Sequence, residues 1–225
     1  MKGFSEELFH ARMLDALNLN FSERDGEEMS ERLTFYDQRR WENWLSRFRE
    51  MEIEKVSEEE LSSFLINMMD DVVVALLKIL KSVEKGILQT DEAKRMIEEI
   101  KEIILKPVEL NDELKNMHIQ SIQNSLLAAI ASFERYLSGG EERGETEELI
   151  REAVEAEQKG DYERALELIS EVGARVLRGE KLSDSLFSEI PDGIVLEWMD
   201  GIDSISAAMT LDVEVETGDE EEEEI

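Results

Sequence analysis

The sequence predicts an all-α fold: a multi-helix bundle with long antiparallel helices, followed by a C-terminal helical hairpin and a disordered acidic tail. Three observations lead there. Two Pro and 12 Gly in 225 residues leave few helix breakers. Apolar residues recur at spacings of three and four, the period of a helix face. Before Leu211 no run alternates apolar with polar residues as a half-buried strand would. With 41% hydrophobic and 36% charged residues the chain is apolar enough to fold, and at this size about 70% of its unfolded surface is expected to be buried.

Residues 5–19 form the first amphipathic candidate, with Leu8, Met13, Leu14 and Leu17 as its apolar members, and residues 20–32 read as a polar linker. The bundle is expected over 33–138. A helix starting near Asp37 carries Trp41, Trp44, Leu45, Phe48 and Met51 on one broad face. Ser57 and Glu60 have the spacing of a capping box, in which hydroxyl and carboxylate each satisfy an end amide. The helix they open reaches about Gly86, with Leu61, Leu65, Met68, Val72, Leu76, Ile79 and Val83 as its seam. A shorter helix from Asp91 stops by Leu105, because Pro107 disfavours helical backbone in the residue before it. A second long helix over 112–137 has an apolar row of Leu114, Ile119, Ile122, Leu126, Ile130, Phe133 and Leu137. Beside that row Ser121, Ser125, Ala128 and Ser132 form a strip of small side chains, which lets another backbone come close.

Gly139 and Gly140 end that helix, and the segment 138–145 offers nothing apolar to bury, so a domain or subdomain boundary is placed there. The C-terminal subdomain, 146–211, opens with a hairpin of helices 146–158 and 161–177 turned at Gly160. Its Gly160-Asp161-Tyr162-Glu163-Arg164-Ala165-Leu166 resembles the turn and second helix of a tetratricopeptide repeat. A repeat needs stacked neighbours to bury its faces, so a lone one reads as a local hairpin. Beyond it Pro191, Gly193 and Gly201 punctuate a short helix at 194–199 and a further stretch at 202–211. Residues 212–225 include five consecutive Glu, and like charges in a block stay solvated.

Charge and composition remove several function classes. There is no Cys, hence no disulfide framework, zinc-thiolate site or thiol nucleophile. The longest apolar stretch, 64–83, is interrupted by Asp70, Asp71, Lys78 and Lys81, which a lipid-spanning helix would not tolerate. Glu6 and Glu7 precede any apolar run of signal-peptide length, so a cytoplasmic protein is expected. A net charge of -31 repels naked nucleic acid and anionic lipid and attracts basic proteins. No phosphate-cradling glycine loop or nucleophile elbow is present; Gly139-Gly140 lacks the Lys and Ser or Thr of a P-loop.

Two segments carry a family resemblance: Phe35-Tyr36-Asp37-Gln38-Arg39-Arg40-Trp41-Glu42-Asn43-Trp44-Leu45, and Ile190-Pro191-Asp192-Gly193-Ile194-Val195-Leu196-Glu197-Trp198-Met199-Asp200-Gly201-Ile202-Asp203. Together they resemble an archaeal family catalogued as domain of unknown function 2150, over about residues 35–209. The resemblance implies an archaeal cytosolic protein; it implies no reaction and supplies no catalytic residues to carry over. A charged, cysteine-free composition fits a hot-growing organism.

In this acidic chain, positive charge and aromatic rings coincide around Trp41, Trp44 and Phe48, flanked by Arg39, Arg40, Arg47 and Arg49. One reading makes this a partner-binding face, with Arg40 stacked over Trp44 one turn away; a nucleic-acid platform would use the same residues. The plainer reading makes Trp41, Leu45, Phe48 and Met51 core and pairs the arginines with nearby Glu42, Glu50 and Glu52. Glu7 and His10 have the spacing of a di-iron helix, but His118 has Lys115 where the partner glutamate should stand, so no metal site is expected. Asp70 and Asp71 cannot both face the seam; a solvated Asp70 and a paired Asp71 at the core's edge are expected. The Met68-Met69 pair reads as core filler.

These features lead to the expectation of a non-catalytic, acidic interaction protein without cofactor or metal. Long apolar seams suggest a homodimer, and the charge suggests a basic partner of the ribosomal or chromatin kind. The expected partner-binding residues are Arg39, Arg40, Trp41, Trp44 and Arg47 on the first bundle helix, and Trp198, Asp200 and Asp203 near the C-terminus. Two alternatives stand beside it: a nucleic-acid mimic that occupies a phosphate-binding groove, and a carboxylate enzyme with a divalent ion.

Overall fold

An acceptor side chain just before a helix favours its start by taking up one of the first free backbone amides. In the computed structural model, which describes residues 34–140 and 143–210, helix α1 (Gln38–Glu50) is capped by Asp37, which accepts from the Arg40 amide at 2.8 Å. After one 3-10 turn at Ile53–Lys55, α2 (Glu58–Glu84) opens with the expected reciprocal capping box of Ser57 and Glu60. Helix α3 is Thr90–Ile104, and α4 (Glu113–Ser138) is capped by Asp112 and ends on Gly139 in the left-handed region, φ 67°. The hairpin is α5 (Thr146–Gln158) and α6 (Tyr162–Leu177), the latter capped by Asp161. Then come α7 (Asp184–Glu189), which the sequence pattern had not marked, and α8 (Ile194–Met209). Among the described residues there are helices and no strands. The candidate helix at 5–19, with Glu7 and His10, the linker at 20–32 and the acidic tail lie outside the described residues.

Helix α4 is the axis of the core. Helices α2, α3, α6 and α8 all pack on it, and its side chains finish two of its neighbours. The buried Lys115 ammonium donates to the carbonyls of Arg49 and Met51 at 2.9 and 2.6 Å, at the C-terminus of α1. The Gln123 amide donates to the carbonyls of Ile104 and Lys106 at 2.6 and 2.9 Å, closing α3. Successive bundle helices reverse direction, so the two long ones, α2 and α4, point the same way. Phe48 meets both Phe64 and His118 at one end, and Tyr136 donates to Glu84 at the other.

The strip of small residues on α4 does what its composition implies. A Cβ on Gly201 of α8 would stand 2.0 Å from the Ser125 carbonyl oxygen, and one on Gly173 of α6 would stand 2.0 Å from Ser132 Oγ. Both glycines are there for proximity, and neither breaks a helix. The expected interruption at Gly201 is therefore corrected: α8 runs through it from Ile194 to Met209.

Met68, Val72, Leu76 and Ile79 of α2 are buried within this one chain, as are Ile119, Leu126, Ile130 and Phe133 of α4, while Leu61, Leu65, Val83 and Leu137 of the expected rows are half-buried. Leu114, expected in the α4 row, is instead 48% exposed. The connection after α4 separates helices in sequence that share a core in space. It is tied down by a buried ion network. Glu171 pairs with Arg135 at 2.8 Å and Arg175 at 3.2 Å, and accepts from the Arg143 amide at 2.5 Å; Arg175 donates to the Arg143 and Gly144 carbonyls. A buried charge pair of this kind holds only because each group meets several partners.

Candidate partner-binding surfaces

Adjacent aspartates on α2 face different neighbours, as positions about 100° apart must. Asp71 turns to α1: it accepts from Arg40 Nε at 2.9 Å and from Trp44 Nε1 at 2.8 Å. Asp70 turns to α8, where Ser204 Oγ donates to it at 2.5 Å; the expectation of a solvated Asp70 is corrected by that contact. Arg40 is thus spent on Asp71 and lies over Tyr36, 5.1 Å from the ring centre, not over Trp44. Trp44 takes Arg47 instead, at 4.7 Å, and the same guanidinium lies 5.4 Å from the Phe64 ring.

Of the residues proposed for partner binding on α1, Arg39, Arg40 and Arg47 are exposed and Trp44 is half-buried. Trp41 is 2% exposed and Trp198 0%, so neither reaches a partner; both are core, and that part of the expectation is corrected. They fill the interior because an indole buries more apolar area than almost any side chain. The Tyr36 hydroxyl is buried too, and burial first, then Asp71, pushes its pKa up.

Asp200 and Asp203, one turn apart on α8, are both exposed. Although the residue is exposed, the Asp200 carboxyl loses hydration against its surroundings, and that first, the Asp203 charge second, raises its pKa above the usual aspartate value. No Lys or Arg occurs from 182 to 225.

Where α4, α5 and α8 meet, a groove of about 440 Å³ opens at the start of α8. Glu157 of α5 spans the first amides of α8, accepting from Ile194 at 2.7 Å and from Val195 at 3.2 Å. Gly193 has to be glycine for this, since a Cβ there would stand 2.3 Å from the Glu157 carboxylate. Asn124 Nδ2 donates to Glu197 at 2.6 Å. Sequence reasoning passed over this groove. Its one legible sign was Leu114, five residues before Ile119 and so off the three-and-four rhythm of the row behind it.

Among the described residues no three His, Asp or Glu side chains converge as metal ligands, and no helix is long and apolar enough to cross a membrane. Neither a curated protein nor a solved structure matches the chain. The family described as uncharacterized protein conserved in archaea (DUF2150) matches residues 34–218, which include both of the segments that carry the resemblance, and the chain belongs to that family.

Proposed function

We propose that this chain is a non-catalytic, acidic docking protein that binds a basic protein partner of the ribosomal or chromatin kind through the exposed face of α8. One observation carries the reading: Asp200 and Asp203 stand one turn apart on that face, with the Asp200 pKa raised by lost hydration and then by Asp203. Two carboxylates set one turn apart on an exposed face attract a cation brought alongside, which lowers the cost of their like charges. The rest of the chain adds to the same field. Were every Lys and Arg paired one to one with an acid, 31 carboxylates would be left over. On α1, by contrast, Arg40 is held by Asp71 and the Arg47 guanidinium lies over Trp44.

The test is affinity capture from archaeal lysate with the wild-type chain and with Asp200→Asn/Asp203→Asn, each at low and high salt. The reading expects a basic protein held by the wild type at low salt, released as salt rises, and held less by the double variant. Retention of the same proteins by both chains, or of none by either, would sink it.

A further inference from the structure

The groove at the start of α8 refines that reading, on which it depends, by saying what part of the partner it receives. Its α4 wall presents Leu114 and Met117, 48% and 43% exposed, side chains apolar enough that water is a poor covering, beside the polar His118, Gln120, Ser121 and Asn124. Its other wall carries the Glu157 and Glu197 carboxylates, and no Lys or Arg lines the groove. Normally the positive end of a helix such as α8 would favour an anion at this place. Here Glu157 already fills that role from within the chain, bonded to the Ile194 and Val195 amides. A second anion would meet two carboxylates. A wholly apolar ligand would strip water from them and return nothing.

What suits two exposed apolar side chains facing two carboxylates is a cation on an aliphatic stem. We propose that the groove takes one lysine or arginine side chain of the basic partner. The methylene stem lies along Leu114 and Met117, as such stems do on apolar surfaces, and the charged head points toward Glu157 and Glu197. At about 440 Å³ the groove has room for the side chain together with neighbouring peptide atoms. Asn124 holds Glu197 in place from α4, so the acidic wall is set before a ligand arrives.

The experiment follows the methyl signals of Met117 and Met209 by NMR in the full chain carrying labelled methionine methyls. The probes are short acetylated peptides with a single arginine, lysine or citrulline. The arginine and lysine peptides are expected to shift Met117 saturably, and the citrulline peptide, similar in shape but uncharged, is not. Leu114→Lys places a cation in the groove at an exposed position and is expected to weaken the arginine peptide by about tenfold or more; Glu197→Gln, which keeps the shape, weakens it by about threefold or more. Should Leu114→Lys fail to fold, the Glu197→Gln arm decides alone. Equal shifts from citrulline, or unchanged affinity in the variants, overturn the proposal. If the arginine peptide shifts Met209 but leaves Met117 still, the groove is wrong and docking on α8 survives; if no basic peptide binds at low salt, docking falls as well.

Discussion

The contact of α4 with α6 and α8 and the contact of α1 with α2 solve the same packing problem by opposite means. Around α4 the helices touch backbone to side chain and backbone to backbone, through Gly173, Gly201 and the small strip. Between α1 and α2 long side chains reach across: Arg40 and Trp44 to Asp71, Arg47 over Trp44 and Phe64. In the first arrangement one added carbon has nowhere to go. In the second, flexible arms near water absorb a change, and solvent replaces part of what is lost. The interior of this protein should therefore tolerate substitution very unevenly.

The largest effect is expected at Gly201. In a loosely packed helix Gly→Ala stabilises by roughly 1 kcal/mol; here the added Cβ meets the Ser125 carbonyl oxygen, a backbone atom that no rotamer change moves. Gly201→Ala should lower stability by about 3 kcal/mol or more, read as a fall in the denaturation midpoint, and Ser125→Ala should not restore it. Any gain in stability would show that α8 and α4 stand farther apart than described.

Gly173→Ala comes next, at about 1–3 kcal/mol. Its Cβ meets Ser132 Oγ at 2.0 Å, Ser132 Cβ at 2.6 Å and Ile202 Cδ1 at 2.7 Å, all side-chain atoms. Adding Ser132→Ala removes the nearest of them and should recover part of the loss. Rescue at 173 together with none at 201 is the sharpest check on which contact is backbone and which is side chain.

In the α1–α2 corner Asp71→Asn should cost about 1–2 kcal/mol, reduced from the full worth of a charged hydrogen bond because Arg40 is well exposed. Thermal melts of the variant check it; a loss as large as that at Gly201 would erase the contrast between the two regions.

The smallest effect is at Asp200, and it has a sign. Its native pKa is raised, so the ionised carboxylate destabilises the fold at neutral pH; that penalty recedes as pH falls through the raised pKa and is gone below the ordinary aspartate range, at about pH 4. Asp200→Asn should slightly raise Tm at pH 7, with the gain fading toward pH 4. A lowered Tm at neutral pH would mean that the charge is satisfied within the free chain.

Local chemistry made much of this structure legible. Ser57 with Glu60, Asp112 and Asp161 mark helix starts through acceptors placed within three residues, and Pro107 marks a stop, so nearby sequence suffices to find them. The small strip on α4 also announced a close neighbour. Which neighbour it would be was hidden, because nothing in the residues around Gly201 tells a glycine that ends a helix from one that presses on Ser125. The same limit explains the candidate surface. Trp41 and Trp198 carry the residue types of an interface, yet their burial is decided by helices distant in sequence. Arg40 looked available until Asp71, 31 residues away, claimed it.

The carboxylate that starts α8 comes from Glu157, 37 residues earlier than the amide it holds. Helices α1, α4 and α6 take that anchor from the residue just before them; this one receives it from the hairpin. During synthesis the hairpin leaves the ribosome first, so the anchor is in place before the segment that needs it. The start of α8 is thereby tied to the hairpin of α5 and α6, and a chain with a misfolded hairpin would lack the carboxylate that meets the first amides of α8.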